Sequence, residues 1–337
     1  MISEIYLLYI IIGLFFGFLF SPMVLRYVRR YAITGLREKK ALFSGEDASE
    51  YNKLHSKDGL RVPIMGGLIM GLVVLICSMV AAFFFPFHNI DFVVIYAIWF
   101  FGFILGYLFD YKTLINKEIR VYWRIVIIAV VTIAISILMN FTLGIDSLYI
   151  PFYGDVFLGH LIAIPILLVF ISLFLSGIID GIDGLTSSIF SVAFLAYGII
   201  AAFLGLWSVV LFCVIMMTAI AVYLWRNITP ARWYMGDTGV VSLSFALGAI
   251  AFITDSYSGG IGVSLLPLIV IMLVVTVVTT IIQMVNKRMY GKKIWLSTPI
   301  HHHFEAIGMP SQSVVFRYAL VAFFFATFGV LIFISII

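Results

Sequence analysis

About ten stretches of roughly twenty apolar residues follow one another along this chain. No water-soluble core could bury them all. Of 337 residues, 64% are hydrophobic and only 11% charged, against roughly 25% charged in a soluble domain, and the mean hydropathy is +1.19. The chain therefore reads as an all-α polytopic membrane protein. Its expected spans are 2–25, 63–85, 92–109, 121–139, 158–176, 186–204, 207–225, 238–254, 262–286 and 313–336. Runs such as 161–175 are apolar on every side and do not alternate, which argues against a β-barrel. One unit over 1–337 is expected, with short loops and no repeat.

The basic residues orient these spans. Arg26, Arg29, Arg30, Arg37, Lys39, Lys40, Lys53, Lys57 and Arg61 follow the first span. Lys112, Lys117, Arg120 and Arg124 lie between the third and fourth, and Arg226 and Arg232 follow the seventh. Lys287, Arg288, Lys292 and Lys293 follow the ninth, and Arg317 opens the tenth. These are all 20 Lys and Arg of the chain, and the proposed spans put them on one side. The positive-inside rule makes that side cytoplasmic and places both termini outside. The first span has no basic flank before it and no small-residue cleavage site after it, so it reads as retained rather than as a signal peptide. Cys77 and Cys213 lie inside spans and read as apolar filler, not as a disulfide framework. Residues 26–62 form a polar loop expected to be partly mobile. The outer segment 140–157 mixes aromatics with Gly144, Pro151 and Gly154 and reads as a short hairpin. Asp91, Asp146, Asp155, Asp255, His88 and His160 fall singly in outer loops and read as solvated.

On the basic side, four polar strings interrupt the apolar chain. They are Gly106-Tyr-Leu-Phe-Asp110-Tyr-Lys112, Asp180-Gly-Ile-Asp183-Gly-Leu, the stretch from Asn227 through Tyr234 and Asp237 to Gly239, and Thr298-Pro-Ile-His301-His302-His303-Phe-Glu305. Each has a plain structural reading. Asp110 could pair with Lys112 at a helix end. An Asp/Gly-rich turn is ordinary at a helix junction. Asp237 could cap the helix that begins before Val240. Yet two acids three residues apart in so apolar a chain need a reason, and a helical turn would put Asp180 and Asp183 on one face. Three consecutive histidines on a helix point about 100° apart and cannot ligate one ion together. They fit better as donors to phosphate oxygens.

Carboxylates without usable thiols favour a hard cation, Mg²⁺ or alternatively Mn²⁺, over zinc. Beside Lys, Arg and His this is equipment for phosphoryl transfer. A basic face, with a sequence pI near 8.9, would draw anionic substrates and membrane lipid head groups. The expected chemistry joins a water-soluble phosphate donor to a lipid phosphate acceptor in a cytoplasmic cleft. No nucleic-acid partner is expected, and a homodimer is compatible with the chain.

At these strings the chain resembles the polyprenyl-phosphate N-acetylhexosamine-1-phosphate transferases, and within them the branch that handles muramoyl-pentapeptide. The likeness runs from Pro63-Ile-Met-Gly-Gly67 to the last span. Its most specific piece is Pro299-Ile-His-His-His-Phe-Glu305, followed by Val314-Val-Phe-Arg317, with Gln283 and Gly291-Lys-Lys in support. The resemblance implies that UDP-N-acetylmuramoyl-pentapeptide reacts with undecaprenyl phosphate on Mg²⁺, at a bacterial cytoplasmic membrane. It implies that Asp237 ligates the metal and that Tyr234 stacks on uracil; the catalytic role expected of Asp110 is to accept a proton from the polyprenyl phosphate or to orient it. By the same token Asp180, Asp183 and Asn227 lie near the nucleotide, Lys117 near the diphosphate, and His301, His302 and His303 form the histidine motif. The sibling reading is an N-acetylglucosamine-1-phosphate transferase; a catalytically silent binding or transport relative is the other alternative. The chain departs from the family in four places. Phe109 stands where the first of two adjacent acids is usual, Gly177 where Asn is usual, Val240 where Ser is usual, and Val62 and Ile64 replace threonines.

Overall fold

The computed structural model describes residues 2–31, 62–84, 90–115, 119–150, 153–257 and 261–336. Lys117, His88, Pro151 and most of the polar loop, 32–61, lie outside these. The helices are α1 (Ile2–Tyr31), α2 (Gly67–Phe84), α3 (Ile90–Leu114), α4 (Val121–Leu143), α5 (Ala163–Leu175), α6 (Leu185–Phe203) and α7 (Trp207–Asn227). They continue with α8 (Gly236–Tyr257), α9 (Gly262–Ile269), α10 (Ile271–Tyr290), α11 (Ile300–Ala306) and α12 (Ser311–Ile336). Among the described residues, nine helical segments are long and apolar enough to cross a membrane. A shorter apolar helix, Gly67–Ala81, adds a tenth to that set. Outward faces carry bare aromatics such as Phe100, Phe101, Phe323, Phe324 and Phe328, which water would not tolerate and lipid does. The chain is a multi-pass membrane protein.

The expected span 262–286 is instead two helices, α9 and α10, divided at Val270 (φ −105°, ψ 32°). Pro267 lies inside α9, three residues before the break, in a run that hydropathy reads as continuous. The expected hairpin is present: β1 (Ser147–Ile150) pairs antiparallel with β2 (Gly154–Phe157), Ser147 opposite Phe157.

Helix α8 is the centre of the bundle, buried at every residue from Thr238 to Asp255. In lipid, helix association rests on close packing of small residues rather than on water exclusion. Helix α3 meets this demand with Gly102 and Gly106. A Cβ on Gly102 would lie 2.7 Å from Phe245, and one on Gly106 would lie 2.2 Å from the carbonyl oxygen of Asp237. The backbones of α3 and α8 therefore touch where any larger residue would hold them apart.

The reading of outer acids as solvated fails for two of them. Asp91 and Asp255 are buried. Asp255 accepts a hydrogen bond from the N–H of Val263 at 2.7 Å, at the start of α9, and Asp91 accepts one from the hydroxyl of Tyr257 at 3.1 Å. Both line a cavity of about 490 Å³ together with exposed Asp155. Each sits at a helix end in the sequence, and the neighbouring element that buries it is distant in the chain.

Candidate active site

Gly102, Gly106 and Asp110 recur every four residues and so share one face of α3. The glycines bring that face onto α8, and Asp110 ends it against the α8 N-terminus. One oxygen of Asp110 accepts the N–H of Asp237 at 3.0 Å. The other accepts the N–H of Thr238 at 2.8 Å and its hydroxyl at 2.6 Å. The backbone donors that open a helix have no intrahelical partner and carry partial positive charge, so a buried carboxylate is well placed there. Asp110 thus caps α8 from a neighbouring helix and does not pair with Lys112. Gly236 has φ +71°, and a Cβ there would fall 2.6 Å from the Asp110 carboxylate. The approach to α8 is fixed from the other side as well. Gly66 and Gly67 donate to the carbonyls of Tyr234 and Met235, and Tyr234 donates to that of Pro63.

With its own N–H tied down, the Asp237 side chain projects from the first turn of α8 toward α4. Arg124 meets it there, with Nη1 2.5 Å from the carboxylate. The Arg124 Nε donates to the carbonyl of Ile119 at 2.9 Å and Nη2 to the hydroxyl of Thr113 at 3.4 Å. Three segments thus fix one guanidinium. Its carbon lies 5.5 Å from the centroid of the Phe109 ring, a cation–π distance. The Arg124 and Asp237 side chains are 12% and 24% exposed, so the pair borders solvent.

The acidic turn does not form a helix, so Asp180 and Asp183 do not share a helical face. A 3₁₀ turn over Ser176–Ile179 ends at Asp180, and α6 starts only at Leu185. Each acid is held separately. Asp180 accepts the Thr186 hydroxyl at 3.0 Å, and Asp183 accepts the Ala231 N–H at 3.1 Å. Buried Asn227 joins this turn to the loop that leads into α8. Its carbonyl oxygen accepts the Gly184 N–H at 2.8 Å, and its amide donates to the carbonyl of Trp233 at 2.9 Å. Trp233 is buried and stacks on Tyr223 with centroids 6.0 Å apart, whereas the next residue, Tyr234, is 41% exposed.

The histidines occupy α11. His301 and His302 are buried and pack edge to face at 4.3 Å, and His303 is half-buried. The divergence expected of consecutive helical residues holds. His303 Nδ1 faces the N–H of Leu296 at 3.3 Å, while His302 Nδ1 lies 2.6 Å from Glu305. Glu305 also accepts the Ser311 hydroxyl at 2.5 Å. With Glu305 ionised, Nδ1 of His302 is the donor, an arrangement that orients an imidazole through its far nitrogen. A Cβ on Gly181 would lie 2.5 Å from His302 Nε2 and 2.9 Å from His301 Nε2. The histidine helix therefore rests on the bare backbone of the acidic turn.

Comparison with known proteins shows the family. The profile of Glycosyl transferase family 4 matches residues 92–255, the stretch from α3 through α8. A phospho-N-acetylmuramoyl-pentapeptide-transferase of Staphylococcus saprophyticus is 33% identical over 263 residues, covering 75% of this chain and 79% of its own length. One from Staphylococcus aureus is 33% identical over 265 residues, with the same coverage. The chain belongs to the phospho-N-acetylmuramoyl-pentapeptide-transferase family. Its class is that of a phospho-sugar transferase in a bacterial membrane.

Within that family, the donor set of this chain does not fit a divalent ion. Mg²⁺ asks for near-octahedral oxygens and is usually held by one or two carboxylates. Here both oxygens of Asp110 serve the α8 N-terminus, Phe109 offers a ring, and Asp237 is engaged by Arg124. Among the described residues, no three His, Cys, Asp or Glu side chains converge as a metal site.

Sequence reasoning missed Arg124, Glu305 and Thr238. Arg124 was visible only as a unit of positive charge. The usable signal was its place four residues into a helix that is otherwise apolar, where an ionised group needs a partner. Lys117, expected near the diphosphate, lies outside the described residues.

Proposed function

We propose that this chain transfers phospho-N-acetylmuramoyl-pentapeptide from its UDP-linked donor to undecaprenyl phosphate, giving lipid I and UMP for peptidoglycan synthesis. The site would face the cytoplasm, where the basic helix ends and loops would meet both the soluble donor and the lipid head groups. The observation that carries the reading is the clamp made by Asn227. It ties the acidic turn, and through Gly181 the histidine helix, to the loop bearing exposed Tyr234 and the α8 N-terminus bearing Asp237. One end of the bundle thereby offers an aromatic face for a base, a guanidinium for phosphates and imidazoles beside them.

The acceptor brings its own nucleophile. A phosphate monoester has a second pKa near 6, so its oxygen is largely ionised at neutral pH and needs no general base. That removes the chemical demand for a carboxylate at Phe109. In this reading the acceptor oxygen attacks the sugar-linked phosphorus in line. A new P–O bond forms, the bond to the uridylate oxygen breaks, and UMP departs with the electron pair. Asp110 takes no proton in this scheme. It positions Asp237 and Thr238 by holding the start of α8. His302, oriented by Glu305, would donate to phosphate oxygens that come to rest over the acidic turn.

The test is UMP release by the purified chain in detergent with undecaprenyl phosphate and either UDP-N-acetylmuramoyl-pentapeptide or UDP-N-acetylglucosamine, each in Mg²⁺, Mn²⁺ and EDTA. Release with the muramoyl donor, reduced at least about a hundredfold by Asp237→Ala, is expected. Release with the glucosamine donor alone would move the chain to the sibling activity. Binding of a uridine nucleotide without turnover of either donor would leave a silent relative and would mean that the carboxylate absent at Phe109 is needed after all.

A further inference from the structure

At the basic end of the bundle the Asp237 carboxylate borders solvent next to a cation, and that cation is a side chain of the protein. Arg124 is fastened through Ile119 and Thr113 and lies across the Phe109 ring. A phenyl ring cannot ligate a metal, but it can support a guanidinium face. Asp110, one residue along α3, is buried and committed on both oxygens to α8. The charge next to Asp237 is therefore supplied by Arg124, in the geometry that a bound ion would have to take over. Arginine also suits the task. It stays ionised at any accessible pH and presents a planar fork that matches phosphate oxygens.

We infer that Arg124 is the group that receives the diphosphate of a nucleotide ligand in this chain, and that such a ligand binds without a divalent cation. The inference rests on the nucleotide donor proposed above and deepens it. It assigns a binding residue and removes a requirement.

The experiment measures binding of UDP and UMP to the full chain in detergent by calorimetry, in EDTA and again in Mg²⁺. With the wild-type chain, UDP affinity is expected to agree within about twofold between the two conditions. Arg124→Gln should weaken UDP about tenfold or more while changing UMP less, because only UDP carries the second phosphate. Arg124→Lys, which keeps the charge and loses the fork, should fall between. Damage confined to the fold would weaken both nucleotides alike. Mn²⁺ added to the wild-type chain should give only the free-ion spectrum in electron paramagnetic resonance. UDP binding that EDTA abolishes and Mg²⁺ restores would overturn the inference while leaving the donor reading intact. A bound-Mn²⁺ spectrum lost in Asp237→Asn would overturn it as well. Failure of both nucleotides to bind in either condition would bring down the donor reading itself, and the inference with it. The wild-type comparison needs no variant to fold.

Discussion

The two ends of this bundle use the same device in different company. At the hairpin end, buried Asp255 accepts the N–H of Val263 and caps α9. At the basic end, buried Asp110 accepts two N–H groups and a hydroxyl and caps α8. Each places an ionisable group inside the bundle against the positive end of a helix dipole. Around Asp255 the cavity is lined by Asp91, Asp155 and Tyr257, and no Lys, Arg or His joins them among the described residues. Around Asp110 the same helix start carries Asp237 and its Arg124, with the acidic turn, the histidines and Tyr234 tied in by Asn227. A buried carboxylate in a membrane chain is thus explained at both ends by capping alone. What separates the candidate site, among the described residues, is the set of cationic and imidazole side chains gathered around the cap.

The comparison breaks most visibly at Asp110. Replacing it by Ala strands two backbone donors and the Thr238 hydroxyl inside the protein. Hydrogen bonds to a charged acceptor are worth about 1.5–3 kcal/mol each and are not additive, so a loss of about 3–5 kcal/mol is expected. Denaturant unfolding in mixed micelles would read it. UMP release should fall with it, because α8 no longer holds Asp237 in position. Asp110→Asn keeps one acceptor oxygen and should lose roughly half as much. An Asp110→Ala protein as stable as the wild type but inactive would show that the carboxylate acts on substrate, and the symmetry with Asp255 would be gone.

Asp255→Ala sharpens the same comparison. One backbone donor at the start of α9 loses its partner, at a cost of about 1–3 kcal/mol in the same unfolding assay. Turnover of the folded fraction should stay within about twofold of the wild type, since a surface or cap change remote from the site has no route to the chemistry. A fall in turnover without a fall in stability would give the hairpin end a part in the reaction.

The spans could be read in the sequence because lipid demands about twenty apolar residues per crossing. The hairpin could be read because Gly and aromatic residues punctuate it. The break at Val270 was harder. It falls within a run whose hydropathy never drops. The site was legible as four strings but not as an arrangement. Periodicity places Asp110 on the face of Gly102 and Gly106, yet nothing local says that this face meets the start of α8, more than a hundred residues on. The same limit hid the Arg124–Asp237 pair, and with it the failure of the donor set to fit Mg²⁺. Asp180 and Asp183 illustrate the opposite error. Their spacing suggests a shared helical face, but Gly181 and Gly184 break the helix and send the two carboxylates to different partners.

The smallest effect belongs to Tyr234, and it tests whether exposure at the basic end serves a ligand. Its backbone is fixed on both sides of the peptide, donating to the carbonyl of Pro63 and accepting from Gly66. The loop should therefore keep its path when the ring is removed. The ring is 41% exposed, so Tyr234→Ala should cost less than about 0.5 kcal/mol of stability. Stacking of a base on an aromatic side chain is worth about 1–3 kcal/mol, which predicts a KM for the UDP-linked donor raised roughly tenfold. The kcat should change little if stacking is equal in the ground and transition states. Tyr234→Phe keeps the π-face and should restore the KM. An unchanged KM in Tyr234→Ala would mean that the uracil does not stack there, and the exposed ring would then belong with the lipid-facing aromatics rather than with the site.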